Sequence, residues 1–115
     1  MPLLIEHYEF GKIIIDGKTY TSDLIIMPDR IIENWWRKEG HNLVIADIEP
    51  VILEWPITLV IGTGADGTMR VSKEVRMMLP LRGVKIIEMK TTEACEAYNE
   101  MYKFEKTAAA LHLTC

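Results

Sequence analysis

Ile57-Thr58-Leu59-Val60-Ile61-Gly62-Thr63-Gly64-Ala65-Asp66-Gly67 is the stretch that decides the fold. Its first five residues are almost wholly apolar, the signature of a strand covered on both faces. Residues Gly62 to Gly67 match G-x-G-x-x-G, whose glycines permit a tight turn and let pyrophosphate approach a helix N-terminus. Glu88 stands about twenty residues on, where a dinucleotide fold places its ribose-binding acid. Three features argue against a full dinucleotide site. Thr68-Met69-Arg70-Val71 intervenes before Ser72, the first good N-cap, whereas the helix must open inside the motif to face phosphate. Two mononucleotide halves are needed, and 115 residues with a separate hairpin supply barely one. Ala65-Asp66-Gly67 is also an ordinary turn sequence. A smaller anion stays open. Thr63, Gly64 and Gly67 with Lys90, Thr91 and Thr92 would then form a rim beyond the carboxyl ends of parallel strands. Gly64→Val is expected to abolish such binding while leaving the fold intact. The bland alternative makes Thr91 and Thr92 caps and Lys90 a solvated side chain.

Downstream, Ser72 caps a helix whose Val75, Met78 and Leu79 face inward, and Gly83 stops it. Val84 to Met89 reads as a strand. Thr91 or Thr92 caps a helix to about Glu105, with Ala94, Ala97, Tyr98 and Met101 as its apolar stripe, and Ala108 to Thr114 reads as a closing strand. Strand, helix, strand, helix, strand is a βαβ-type unit, so the 57–61 and 84–89 strands should run parallel. The short Lys106-Thr107 connection leaves the direction of the last strand open.

Upstream, Ile13-Ile14-Ile15, Asp16-Gly17 and Lys18-Thr19-Tyr20 predict a hairpin, because Asp-Gly suits the two positive φ angles of a type I′ turn. Asp23 to Met27 is an apolar strand stopped by Pro28-Asp29. Arg30 to Trp36 reads as one more strand, and Arg37 to Asn42 as a polar loop. Asp47 is the expected N-cap of a short helix carrying Ile48, Ile52 and Trp55 on one face, ended by Trp55-Pro56. The fold class is therefore α/β: one domain over residues 1–115, three layers, a central mixed β-sheet with helices on its faces and an N-terminal β-hairpin region.

Hydrophobic residues at 49% and charged residues at 26% exclude a disordered chain. Residues 1–69 carry five basic and eleven acidic groups, and only the stretch from Arg70 to Lys90 is locally basic. No nucleic-acid partner is expected of such an acidic protein. No apolar run approaches a membrane span, and residues 1–5 are too short for a signal core, so no membrane association and a cytoplasmic location are expected. Two cysteines make no disulfide framework. The absence of glutamine and the presence of only three asparagines fit a heat-tolerant prokaryote.

Trp35-Trp36-Arg37-Lys38-Glu39-Gly40-His41 concentrates unusual residues. Strand alternation sends the two tryptophans to opposite faces, so one of them could line a pocket or a partner surface beside Arg37. His41 with Arg37 and Asp47 could form an acid–base group, although no spacing demands it. His112 and Cys115 would point to opposite faces of an extended strand, so no metal site is expected. Cys95, near a helix N-terminal turn where a thiolate is favoured, reads as a small core residue. Ser22 and Ser72 are the only serines, which leaves a serine triad without support.

Several segments in order resemble one known family. They are Phe10-Gly11-Lys12-Ile13 with Ile15-Asp16-Gly17-Lys18-x-Tyr20, Asp23-Leu24-Ile25-Ile26, and Trp36-Arg37-Lys38-Glu39-Gly40-His41. Val60-Ile61-Gly62-Thr63-Gly64 with Gly67, Lys90-Thr91-Thr92-Glu93-Ala94 with Tyr98-Asn99, and Leu111-His112-x-Thr114-Cys115 complete the set. Together they are similar to the family that includes the adipogenesis-associated domain protein and the mitochondrial complex I assembly factor three. The resemblance implies a three-layer α/β domain with no established reaction. One branch assists assembly of a respiratory complex, which suggests protein binding. Without a mitochondrial extension, this chain looks like a stand-alone prokaryotic member of unknown function.

The expectation is a non-enzymatic binding or assembly domain that contacts a protein partner through Trp36 and Arg37. No cofactor is expected, and the oligomeric state is open. The alternative is a binder of a small anion or nucleotide, an enzyme included. It would use the Gly62–Gly67 loop and the Lys90–Thr92 rim, with Arg37 and His41 as contributors.

Overall fold

The computed structural model describes residues 4–115, so the part of the signal-core expectation that falls on residues 1–3 lies outside the described residues. Ile5–Glu9 (β1), Lys12–Ile15 (β2) and Lys18–Tyr20 (β3) form a three-stranded antiparallel sheet in that order. The Asp-Gly turn forms between β2 and β3 with φ of 49° at Asp16 and 80° at Gly17, as a type I′ hairpin requires. No local sequence signal marks β1. Besides its ladder to β2, that strand is tied at its start to a distant side chain: Asn99 accepts from the Ile5 amide at 3.0 Å and donates to the Ile5 carbonyl at 2.7 Å.

Leu24–Ile26 (β4) and Ile31–Ile32 (β5) come next, then Asn42–Leu43 (β6). Only two residues of the expected Arg30–Trp36 strand pair. Trp35 instead donates its backbone N–H to the Asp23 carbonyl at 2.8 Å, and the chain leaves the sheet there. The tryptophans still divide as expected: Trp35 is buried and Trp36 is 82% exposed. Asp47 is not the N-cap of a helix. It sits inside a 3₁₀ turn, Ile45–Ile48, and its carboxylate reaches back to the Val44 and Lys38 amides at 2.9 and 3.0 Å. The helix proper is Glu49–Glu54 (α1), ended by Trp55 in a left-handed conformation before Pro56.

Thr58–Gly62 (β7) is buried at every residue, as its apolar run predicts. Arg70–Val71 (β8), which the sequence did not suggest, pairs in parallel with β6. Ser72 caps Lys73–Leu81 (α2), accepting from Val75 N at 3.3 Å. Val75 and Leu79 face the core, but Met78 stands exposed beside Trp55. Lys85–Met89 (β9) leads to Thr91–Met101 (α3) and Thr107–Leu111 (β10). Helix α3 stops short of Glu105, and neither threonine is its N-cap. Lys90 holds that position, because the Thr91 hydroxyl is committed elsewhere.

The central sheet has the order β5-β4-β10-β7-β9. β10 runs parallel to β7 and antiparallel to β4, which fixes the direction left open by the sequence and makes the sheet mixed. Alternation along β7 and β10 feeds two cores. Leu59, Ile61, Ala108 and Ala110 pack with Ile48 and Val51 of the first helical segment and with Val75 and Leu79 of α2. Val60, Ala109 and Leu111 pack with Ala94 and Tyr98 of α3 and with Ile13 and Ile15 of the hairpin sheet. Each fully buried Leu or Ile contributes roughly 2–3 kcal/mol of transfer free energy, so both faces of the sheet must be covered. The result is a single mixed α/β domain of three layers.

Candidate functional site

Antiparallel pairing of β4 with β10 puts Leu24 opposite Leu111. One step beyond each strand end, the same register brings Asp23 to His112. The His112 Nδ1 and Asp23 Oδ2 atoms lie 2.7 Å apart. The Leu113 amide donates to Asp23 Oδ1 at 2.7 Å, and Arg37 Nη2 donates to Oδ2 at 2.7 Å. Burial alone would push the Asp23 carboxyl up. The bonds from His112, the Leu113 amide and Arg37 outweigh it and hold the group below its ordinary value. Asp23 is thus an ionised, acceptor-only partner. Arg37 Nη2 lies 3.1 Å from the same Nδ1, so this imidazole nitrogen stands between the carboxylate and the guanidinium.

Arg37 is fixed on every side but one. Its Nε donates to the Gly40 carbonyl at 2.9 Å, and its guanidinium lies over the Trp35 ring, 4.7 Å from the centroid. Trp35 in turn donates its indole N–H to the Asp47 carbonyl at 2.8 Å. The loop that reads as merely polar is therefore clamped at both ends. Two buried atoms of this cluster, Arg37 Nη1 and His112 Nε2, have no hydrogen-bond partner among the described residues. An orphaned buried polar atom costs about 1–3 kcal/mol, so the cluster is held at an energetic disadvantage. Both side chains border a cavity of about 300 Å³, whose other walls include Ser22, Asn34, Trp36 and Thr114.

The glycine loop lies against the same histidine but is otherwise arranged. Gly64 has φ of 105°, and a Cβ there would stand 2.5 Å from the Cys115 carbonyl oxygen and 2.8 Å from His112 Cδ2. The Gly64 amide donates to Thr91 Oγ1 at 2.8 Å, and the Thr91 hydroxyl in turn donates to the His112 carbonyl at 2.6 Å. The Ala65 amide donates to the Thr114 carbonyl and the Thr68 amide to the Cys115 carbonyl, at 2.7 and 3.2 Å. Thr63 spends its hydroxyl on the Met89 carbonyl at 3.1 Å. Thr114 and Cys115 thus occupy two of the amides that the motif would offer an anion, and Thr91, Met89 and Gly64 itself take three more. The premise behind Gly64→Val as a fold-neutral substitution is corrected: the position has no room for a side chain.

The remaining sequence candidates separate. Lys90 lies along Gly67, with its Cγ 3.2 Å from where a Cβ would be. Thr92 belongs to a different cavity, beside Cys95 and Asn99. His41 is exposed, and its ring meets that of His112 edge-on at 5.6 Å, while Asp47 faces the backbone of its own loop. Among the described residues no group of three or more His, Cys, Asp or Glu is placed to hold a metal ion. His112 and Cys115 lie past the end of β10, so strand alternation does not govern them. Cys95 is buried, and that burial pushes its thiol up to about 12, out of reach of thiolate chemistry. Asp23 is the residue that sequence reasoning missed, and His112 was weighed only as a metal ligand.

Residues 5–112 match the family model described as "Protein of unknown function (DUF498/DUF598)". The crystal structure of the conserved hypothetical protein PH1505 from Pyrococcus horikoshii OT3 is 28% identical, covering 96% of this chain and 98% of its own, with a TM-score of 0.80. The Rpa2829 protein from Rhodopseudomonas palustris is 25% identical over 97% of this chain and 87% of its own, with a TM-score of 0.73. An outer membrane protein from Bartonella henselae, 24% identical over 96% and 94%, shares the fold at a TM-score of 0.81. No curated protein matches the chain.

Proposed function

The chain belongs to the DUF498/DUF598 family of proteins of unknown function, and on that premise we propose that it is a non-enzymatic binding domain whose ligand is a small molecule held in the cavity at Arg37 and His112. One observation carries this reading: two buried polar atoms, Arg37 Nη1 and His112 Nε2, lack partners beside one cavity of about 300 Å³. Natural proteins pair nearly all their buried polar groups, and exceptions concentrate where a ligand completes the set. The glycine loop offers no such vacancy, so the ligand site moves from the Gly62–Gly67 loop to the neighbouring cavity. A binding role is preferred to catalysis because Ser22, though on the wall of the same cavity, has no hydrogen bond to the histidine among the described residues, and burial keeps the Cys95 thiol protonated.

A protein partner is the second reading. Trp36 is 82% exposed at the mouth of the cavity, and tryptophan beside arginine is a common interface anchor. The resemblance to the family that includes the complex I assembly factor three supports an assembly role of this kind. No helix among the described residues is long and apolar enough to cross a membrane, and both cysteines are free, which fits work in a reducing cytoplasm.

Thermal unfolding against a panel of small carboxylates, amides, phosphates and nucleotides tests the ligand reading. A ligand at a hundred times its Kd stabilises by about 2.7 kcal/mol, which raises the midpoint of a domain this size by roughly ten degrees. The shift should shrink sharply in Arg37→Lys, which keeps a charge for Asp23 but loses the second arm of the guanidinium fork. A full shift in that variant, or no shift from any compound, would refute this reading and favour a protein partner.

A further inference from the structure

We propose that the open edge of the central sheet, strand β9, pairs with the β9 of a second copy of this chain, antiparallel and centred on Ile87. The surface is separate from the cavity at Arg37, whose walls come from other segments. The parallel ladder between β7 and β9 shows which groups are free. The Lys85 amide donates to the Ile57 carbonyl at 2.8 Å, and the Met89 carbonyl accepts from the Thr63 amide at 2.9 Å. Lys85, Ile87 and Met89 therefore turn their backbone polar groups toward β7, and alternation turns those of Ile86 and Glu88 outward. The N–H and C=O of Ile86 and Glu88 have no hydrogen-bond partner among the described residues. Helix α2 covers one face of the strand over Ile86, and α3 covers the other over Ile87 and Met89. All three side chains nevertheless stay only half-buried, so the flank between the helices is open.

Natural proteins blunt their sheet edges, and among the described residues the other edges here are blunted. β5, at the far side of the same sheet, is two residues long, and β3 is three. β6 and β8 are two residues each. β1 has an irregular register between Ile5 and His7, and Asn99 takes up both the N–H and the C=O of Ile5. β9 runs for five residues in unbroken register, without proline. Its two charged side chains do not guard the edge. Lys85 Nζ is drawn to Glu105 at 3.1 Å, and Glu88 is held by Arg76 Nε and Nη2 at 3.0 and 2.6 Å.

The strand's own sequence suits a second copy. Two identical edges related by a two-fold axis run antiparallel, and their register is symmetric about one residue. Centring on Glu88 would set two carboxylates directly opposite each other, which is destabilising. Centring on Ile86 would call on the Val84 amide, which already donates to the Leu79 carbonyl at 2.9 Å. Centring on Ile87 sets Ile86 of each copy opposite Glu88 of the other, and each such pair exchanges both of its N–H···O bonds. Every outward N–H and C=O is then satisfied. Ile87 meets its twin on the axis, Lys85 stands opposite Met89, and no like charges face each other. Because Glu105 and Arg76 already balance Lys85 and Glu88, the two edges approach without uncompensated charge. The pairing would join two five-stranded sheets into one.

Sedimentation velocity of the full chain over a dilution series from about 1 mM tests this, since a contact along one strand is small and its dimer should dissociate on dilution. Glu88→Pro removes an N–H that the fold does not use, and proline is tolerated where an edge N–H faces solvent. It should weaken the dimer by at least about tenfold. Glu88→Gln, which also loses the ion pair to Arg76 but keeps the N–H, should dimerise like the wild type. Amide hydrogen exchange in the wild type reads the register without any variant. Ile86 and Glu88 should exchange slowly in concentrated samples and fast in dilute ones, while Lys85, Ile87 and Met89 stay slow throughout. A monomer at every concentration would overturn the proposal and leave the edge to an extended segment of another protein. A dimer that survives Glu88→Pro, or that forms without slowing Ile86 and Glu88, would overturn it too. Should Glu88→Pro fail to fold, the wild-type exchange pattern decides by itself.

Discussion

The Gly62–Gly67 loop and the Arg37–His112 cavity meet at one imidazole ring, yet their polar groups are in opposite condition. In the loop, the amides of Thr63, Gly64, Ala65, Gly67 and Thr68 are all bonded within the chain. In the cavity, a guanidinium nitrogen and an imidazole nitrogen have nothing among the described residues. The loop carries the recognisable motif and the cavity carries the unmet hydrogen-bonding demand. A glycine pattern reports where backbone must pass close to something: here Gly62 passes Leu111 and Thr91, Gly64 passes His112 and Cys115, and Gly67 passes Lys90. Capacity to bind is reported by unpaired buried groups, which no pattern in one sequence displays.

The largest effect should come from breaking the loop. Gly64→Val places a branched side chain at φ of 105° and drives it into the Cys115 carbonyl and the His112 ring, at 2.5 and 2.8 Å. Strain and overpacking together should cost about 4 kcal/mol, read as a drop in the urea midpoint. A variant as stable as the wild type would mean that the tail is not seated on the loop. The two regions would then differ far less than their hydrogen bonds suggest.

Much of the scaffold around this contrast was legible. Asp16-Gly17 announced its hairpin, and the run from Ile57 to Ile61 announced a central strand, because both signals are local. Short elements such as β6 and β8 were not, since two paired residues leave no periodicity. Thr91 misled for a physical reason: a hydroxyl that reads as a helix cap can be recruited by a distant amide, here that of Gly64. The site was hidden most deeply. Asp23 and His112 are 89 residues apart, and only the antiparallel register of β4 with β10 makes them neighbours. Once the direction of the last strand is known, the first polar residue before one strand and the first after the other fall opposite each other. That direction was the one topological choice the chain left open.

The next effect down tests the cavity from its charged side. Asp23→Asn keeps an acceptor for the Leu113 amide but leaves Arg37 a buried cation without its carboxylate. Breaking a buried pair in this way should cost about 3 kcal/mol. The pH dependence comes from the sign of the Asp23 shift. Its carboxyl is depressed in the folded state, so its contribution is complete above the ordinary aspartate value of about 3.9 and lost as pH falls through the lower native value. The stability gap between wild type and Asp23→Asn should therefore close as pH falls below about 3.9. A gap that persists undiminished to pH 2 would show that the variant acts through packing rather than charge.

The smallest effect on stability should fall on Trp36, and it sharpens the comparison most. A side chain 82% exposed has little burial to lose, so Trp36→Ala should change unfolding free energy by no more than about 0.5 kcal/mol. The same residue walls the cavity, where its ring would cover the body of a bound ligand. Losing that contact should weaken the bound ligand by about tenfold, since 1.4 kcal/mol of apolar contact corresponds to one decade in Kd. Unfolding and binding measured on one sample of the variant separate the two roles. A large loss of stability would make Trp36 part of the scaffold, like Trp35 beneath it. Unchanged affinity would leave its exposure to a protein partner. A loss confined to affinity would mark the cavity as the part of this domain that the fold supports at its own expense.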